Sequence, residues 1–313
     1  MLSSTQSISK ISSDSVVDSA GVQTATTVDL QSVRATSSDD YVVIRGRRLD
    51  IARHVDPRLF DPSYIAELRQ QLQEAKPFPH LAVSGWFNPV LLELVREEFD
   101  FVDKSKWKVH HNDMELTRRS AKHDDLGPAS QIYFGIVNSG WFVDMISEIT
   151  GEKDLLPDPT LLNGGLHETP PGGKFSIHRD FDRHARYGLN NKMVFITYLN
   201  RNWDPAWGSA LELWDSTTRT SVRSVQPELG NSVLLVHGPK SFHGHPEPMT
   251  APPGQTRRSV AVYYYDNPAA EEMRAQRVSS VFLFARRSPS LRRAVRQLLP
   301  PILVDALKKL IRR

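Results

Sequence analysis

The chain has 313 residues, 39% of them hydrophobic, enough to bury a sizeable core in one extended domain or two small ones. Cysteine is absent, which excludes disulfides, thiolate metal sites and cysteine nucleophiles and leaves any metal to His, Asp or Glu. Thirty-nine Lys and Arg against 36 Asp and Glu give a net charge of +3, too small for the whole molecule to call for a nucleic-acid partner.

Residues 1–40 are rich in Ser and Thr and too polar to collapse alone, so they predict a disordered tail; Asp14, Asp18 and Asp29 argue against a transit peptide. The N-terminus lacks the layout of a secretory signal, and no apolar run reaches membrane-spanning length, so a cytoplasmic protein is expected. Tyr41-Val42-Val43-Ile44 reads as a short strand. Asp61-Pro62-Ser63 reads as a helix start, with a capping Asp and a Pro in the first turn, and the helix runs to about Ala75. Asn88-Pro89 opens a second helix through Phe99. A third begins near Ser139, carries Trp141, Phe142, Met145, Ile146 and Ile149 at helical spacing, and stops at Gly151.

From Leu161 the texture changes to short β-like runs between Pro, Gly and Asn: Lys174 to His178, Met193 to Leu199, Ala210 to Trp214, Ser232 to Val236 and Ser259 to Tyr265. Such spacing predicts a sandwich or barrel. Near the C-terminus, Leu291, Val295, Leu298 and Leu299, then Ile302 to Ile311, form an apolar stripe backed by nine Arg and Lys and only Asp305 among acids. That layout fits a helix lying on a membrane surface, a partner-binding helix, or one docked with its charged face in water. The expected organisation is a tail at 1–40, a helical part at 41–160 packing on the core, a β core at 161–270 and a basic amphipathic helical segment at 271–313.

His178-Arg179-Asp180 and, about sixty residues on, Ser241-Phe242-His243-Gly244-His245 carry the chemistry. Two imidazoles and a carboxylate are the donor set of a facial triad, which leaves positions of a non-haem Fe(II) open to substrates and oxygen. On a strand, His178 and Asp180 point to one side and Arg179 to the other. Asp182 and His184 form a rival pair, read as loop or surface residues in a segment, Asp182 to Asn191, that looks mobile. His245 and His237 compete with His243 for the distal position. Trp203, Trp207 and Trp214 read as core packing rather than a pocket mouth. His110, His111 and His123 have no ligand spacing and receive no role.

The blocks Gly172-Gly173-Lys174-Phe175-Ser176-Ile177-His178-Arg179-Asp180, Ile196-Thr197-Tyr198-Leu199-Asn200, Trp207-Gly208-Ser209-Ala210-Leu211-Glu212-Leu213-Trp214-Asp215 and Gly230-Asn231-Ser232-Val233-Leu234-Leu235-Val236 stand in one order with the distal histidine. Together they resemble the 2-oxoglutarate- and Fe(II)-dependent oxygenases, in the branch related to prolyl 4-hydroxylases. Gly208-Ser209 stands where the family usually has two glycines. The resemblance implies an α+β fold with a double-stranded β-helix, or jelly-roll, core buttressed by the N-terminal helices. It implies Fe(II), with 2-oxoglutarate and O2 as co-substrates and ascorbate as an accessory reductant. Succinate and CO2 would be released as an unactivated C–H bond is hydroxylated, with desaturation or ring closure left open.

In that family the ligand histidine is followed by Gly and precedes a Pro-containing stretch, which selects His243 and gives His178, Asp180 and His243 as the catalytic metal ligands. Asp180 argues against halogenation, whose enzymes carry a small residue there. Matching the terminal strand puts Arg257 on the 2-oxoglutarate carboxylate, with Ser259 on its face, Tyr198 completing the clamp and Arg258 pointing outward; Arg suits a carboxylate because its planar fork gives two parallel hydrogen bonds. The substrate is expected to be a small molecule or a peptidyl group. A second class, a non-oxidative cupin-like metal-binding module or isomerase, would use the same ligands but explains Arg257 and Tyr198 less well.

Overall fold

The computed structural model describes residues 40–120 and 126–269. The expected tail, the basic C-terminal helix and His123 therefore lie outside the described residues. In chain order the elements are β1 (Tyr41–Ile44), β2 (Arg47–Asp50), α1 (Pro62–Glu74), β3 (His80–Ser84), α2 (Pro89–Phe101), β4 (Lys108–His111), β5 (Leu116–Arg119), α3 (Pro128–Val137) and α4 (Gly140–Thr150). There follow β6 (Leu156–Pro157), β7 (Gly165–Thr169), β8 (Phe175–His178), β9 (Asn190–Tyr198), β10 (Leu211–Asp215), β11 (Thr220–Val225), β12 (Asn231–Val236), β13 (Phe242–His245) and β14 (Arg257–Asp266).

Helices α1 and α2 begin where capping chemistry puts them. Asp61 accepts from Ser63 N and Asn88 from Val90 N, each followed by a proline that has no N–H to satisfy. Gly151 ends α4 in the left-handed region at φ 76°, where a Cβ would be strained. Helix α3 has the first-turn proline, Pro128, but no side-chain cap, because Gly127 precedes it. Its N-terminus is capped from another helix instead. The buried Glu98 carboxylate of α2 accepts from Ala129 N at 2.7 Å, from Ser130 N at 2.8 Å and from Ser130 Oγ.

Two antiparallel sheets form the β part. The larger has eight strands in the order β3-β12-β9-β14-β7-β5-β4, with β6 paired to β14; the smaller is β11-β10-β13-β8. From β7 to β14 the chain passes repeatedly between the two sheets, an arrangement consistent with a jelly roll. Strands β3, β4 and β5, from the part expected to be helical, extend the larger sheet at its two ends.

Alternation along the central strands gives each face its content. On β14, Val260, Val262 and Tyr264 join Phe195, Leu234 and the apolar sides of the helices, including Leu91, Val95, Tyr133 and Phe142. Ala261, Tyr263 and Tyr265 face the other way and pack with Val194, Tyr198, Leu211, Leu213, Val233 and Leu235. Arg257 and Ser259 share the phase of Ala261, which directs both between the sheets. Among the described residues no helix is long and apolar enough to cross a membrane.

Candidate metal and co-substrate site

His178 ends β8, Asp180 follows two residues later, and His243 on β13 lies opposite His178 in the antiparallel register. Gly244 permits that approach: a Cβ there would stand 2.7 Å from Phe175 O and 2.8 Å from Ser176 O. One donor atom each from His178, Asp180 and His243 lies within 4.8 Å of the other two. His178 Nε2 is 3.4 Å from Asp180 Oδ1, and His243 Nε2 is 3.8 Å from Asp180 Oδ2.

The tautomers follow from the outer nitrogens. His178 Nδ1 meets Ser176 O at 2.9 Å and His243 Nδ1 meets Ser241 O at 3.0 Å. A carbonyl only accepts, so each Nδ1 carries a proton, and in the neutral ring this leaves the Nε2 lone pair facing Asp180. The Phe175 ring stacks on His178 at 3.8 Å and fixes its plane. Two imidazoles and a carboxylate converging in a buried space could hold a cation, and this donor set suits Fe(II). Burial opposes charge on Asp180, yet His178 and His237 outweigh it and hold the carboxyl well below its usual range. Burial likewise opposes a proton on His178, but Asp180 outweighs it and raises that pKa, whereas burial pushes His243 down to about 4.

These groups open on a cavity of about 290 Å³ between the sheets. Arg257 and Ser259 line it. Arg257 is buried; its Nε donates to Ser209 O at 2.9 Å and its Nη2 to the Tyr198 hydroxyl at 3.2 Å. Tyr198 thus braces the guanidinium from the adjoining strand, its Cα opposite that of Ser259. Burial lowers the pKa of Arg257, with Tyr198 opposing, and raises that of Tyr198, with Arg257 opposing. Arg258 turns the other way, to Asp100 at 2.5 Å and Arg96 O at 3.0 Å.

Of the competing residues, Asp182 and His184 stand apart from the cluster, whereas His237 reaches it and His245 lines the cavity. His245 is a buried cavity wall residue whose Nδ1 has no partner. His237, third choice as a ligand, sits 3.1 Å from Asp180 Oδ2. Asp182 is exposed and pairs with Arg179 at 2.7 Å. His184, expected at the surface, is buried instead: its Nδ1 accepts from Arg186 N and Tyr187 N, and its Nε2 faces Asp158 at 3.3 Å. Trp203 packs with Trp207, Met249 and Ala251 in a small cluster apart from the cavity, while Trp214 Nε1 donates to Glu212. His110 approaches Glu115 at 3.4 Å. Arg119, His167 and Tyr263, which the sequence motifs do not single out, also line the cavity. The alternation of β14 signals Tyr263, but the polar β5 gives no comparable signal for Arg119.

Residues 164–265 match the family model described as 2OG-Fe(II) oxygenase superfamily. The resemblance to 2-oxoglutarate- and Fe(II)-dependent oxygenases read from the sequence holds over this segment, about a third of the chain, which carries the three candidate metal ligands. Among solved structures, a prolyl-4-hydroxylase of Pseudomonas putida is similar at 17% identity over 65% of this chain and 99% of that one, with a TM-score of 0.46. A Trichoplax adhaerens prolyl hydroxylase, solved with a hypoxia-inducible factor oxygen degradation domain peptide fragment, is similar at 14% identity over 69% and 94%, TM-score 0.48. HygX of Streptomyces hygroscopicus, solved with nickel and 2-oxoglutarate, is similar at 16% identity over 64% and 87%, TM-score 0.45. No curated protein matches the chain.

Proposed function

We propose that the protein is an Fe(II)- and 2-oxoglutarate-dependent dioxygenase that hydroxylates an unactivated C–H bond of its substrate on a double-stranded β-helix core, releasing succinate and CO2. His178, Asp180 and His243 hold the iron. Arg257, braced by Tyr198 and flanked by Ser259, receives the distal carboxylate of 2-oxoglutarate. The observation that carries this reading is one cavity with two Nε2 lone pairs and a carboxylate converging in it and a buried guanidinium in its wall.

When bound, the iron supplies oxygen activation coupled to decarboxylation of the co-substrate. The chain supplies placement. Ser176 and Ser241 carbonyls fix the two imidazoles in the ligating tautomer. Arg257 offers N–H groups not used by Ser209 or Tyr198 to a carboxylate, which sets the depth at which a dicarboxylic acid seats. Val194, Ile196, Leu211 and Ala261 give the remaining wall an apolar surface that limits water. A non-oxidative metal-binding module would leave the buried Arg257 without an anion to hold.

The test is succinate release from 2-oxoglutarate with added Fe(II), with Asp180→Ala as the control. Iron-dependent release in the parent protein and its loss in the variant are expected. An iron-loaded parent protein that binds no 2-oxoglutarate and releases no succinate would overturn the proposal.

A further inference from the structure

Six charged residues border the cavity, and five have an assigned counterpart. Glu115 meets His110 at 3.4 Å and accepts from the Thr117 hydroxyl at 2.5 Å. Glu168 is held by Lys104 and Arg118, and Arg179 by Asp182. Asp180 belongs to the metal, and Arg257 to the co-substrate. Arg119 remains, half-buried, with no carboxylate within ion-pair distance among the described residues.

Its place in the sheet turns it inward. On β5, Arg118 lies opposite Glu168 and bonds to it, whereas Arg119 lies opposite His167, itself opposite Ser259 on β14. Arg119 is therefore on the same sheet face as Ser259 and two strands away, about 10 Å along the sheet at the usual strand spacing. Its Nη2 donates to Asn163 Oδ1 at 2.8 Å, which orients the fork and leaves at least three of its five N–H groups without a partner.

The brace is itself rigid. Asn163 sits in a turn at φ 64°, tied through Thr160 N and Leu162 N to the Asp158 carboxylate, each at 2.9 Å. A Cβ on Gly164 would stand 2.6 Å from Ala261 O, so the turn is pressed against β14. His167 between them is no rival cation, since burial and then Arg119 push its pKa down to about 4.

Resting on the reading above, we propose that Arg119, positioned by Asn163, is the anchor for an anionic group of the substrate, so that the substrate class is an acidic small molecule bearing a carboxylate or phosphate. A guanidinium held in a fork with free N–H groups matches either oxyanion. A cavity of about 290 Å³ is at the lower edge of the usual ligand-site range, roughly 300–1,000 Å³. Beside 2-oxoglutarate it therefore admits only a compact part of the substrate, so the anionic group lies near the carbon that reacts.

The experiment is calorimetric titration of the full chain with Ni(II) in place of Fe(II). 2-Oxoglutarate is titrated first; inorganic phosphate and acetate are then titrated separately into the saturated complex. At least one anion should bind the parent complex and bind tenfold or more weakly to Arg119→Gln, with Arg119→Lys between; the preferred anion assigns phosphate or carboxylate. Binding of 2-oxoglutarate by Arg119→Gln reports that the variant is folded, and Asn163→Ala, with a smaller loss of the same anion, serves if it is not. Absence of anion binding, equal binding by parent and variants, or an equal loss of 2-oxoglutarate affinity would overturn the inference. Failure of the parent protein to bind 2-oxoglutarate would instead remove the reading on which it rests.

Discussion

Replacing Arg257 by Ala removes the cation that the cavity offers to 2-oxoglutarate, and the size of the effect follows from the donors it has free. Of five N–H groups, one goes to Ser209 O and one to the Tyr198 hydroxyl, which leaves enough for a two-bond grip on a carboxylate. Each charge-assisted bond contributes about 1.5–3 kcal/mol. Two such bonds amount to about 3–6 kcal/mol, a loss of roughly a hundredfold to ten-thousandfold in affinity at about 1.4 kcal/mol per decade. Arg258→Ala is the matched control, since its guanidinium points to Asp100, which is 55% exposed, and to Arg96 O. An exposed pair is worth about 0–1 kcal/mol, and the cost falls on stability rather than on the co-substrate. Calorimetric titration of 2-oxoglutarate into Ni(II)-loaded protein measures both, with thermal unfolding as the check on folding. Equal affinity losses for the two variants, or an Arg257→Ala variant within threefold of the parent, would refute the assignment.

Tyr198→Phe removes one of the two groups that brace Arg257; a hydrogen bond to a charged group contributes about 1.5–3 kcal/mol, so the same titration should show 2-oxoglutarate binding weakened by at least several-fold, and an unchanged affinity would show the brace to be idle. Glu98→Ala strips the N-terminus of α3 of its acceptor and leaves the buried Ala129 and Ser130 N–H groups unsatisfied at about 1–3 kcal/mol each, while Arg45 keeps Glu97, so urea unfolding should show a loss of about 2–6 kcal/mol; a cost below about 1 kcal/mol would mean that water replaces the carboxylate. His167 gives a pH dependence. Burial, then Arg119, lowers its folded pKa to about 4, so from about pH 6.5 downward the unfolded chain takes up a proton that the folded protein refuses. Stability is therefore lost as pH falls from about 6.5 to 4, and His167→Gln should reduce the slope in that window by up to about 1.4 kcal/mol per pH unit. Parallel stability profiles for parent and variant would exclude this role.

What the sequence makes legible depends on whether the cause is local. Asp61-Pro62 and Asn88-Pro89 announce helix starts because cap and helix are adjacent, and both helices begin there. Helix α3 has no cap of its own; its acceptor, Glu98, lies about thirty residues earlier and meets it only in the folded chain. The triad is legible because His178-Arg179-Asp180 and the distal His243-Gly244 stand in the family's order, although β8 ends at His178 and Asp180 lies just beyond it. His184 is not, since its burial depends on Asp158 across the chain. Nor is the proximity of His237 to Asp180, because the two follow the ends of different strands, β12 and β8.

Two Arg-Arg pairs show the same limit from both sides. Arg257-Arg258 begins a strand that is apolar on both faces, Val260, Val262 and Tyr264 on one and Ala261, Tyr263 and Tyr265 on the other, so its apolar pattern does not choose between the arginines, and the match to the family's terminal strand does. Arg118-Arg119 ends a four-residue strand, Leu116-Thr117-Arg118-Arg119, that is half-exposed throughout and carries too little apolar contrast to set its phase. The register with β7 sets it instead, pairing Arg118 with Glu168 and Arg119 with His167. A single-residue slip would exchange the two arginines and place Arg118 in the cavity. The identity of the cation facing the substrate therefore rests on pairing that β5 alone does not encode, and the contact of the buried Glu168 carboxylate with Arg118 at 2.7 Å is what opposes the slip.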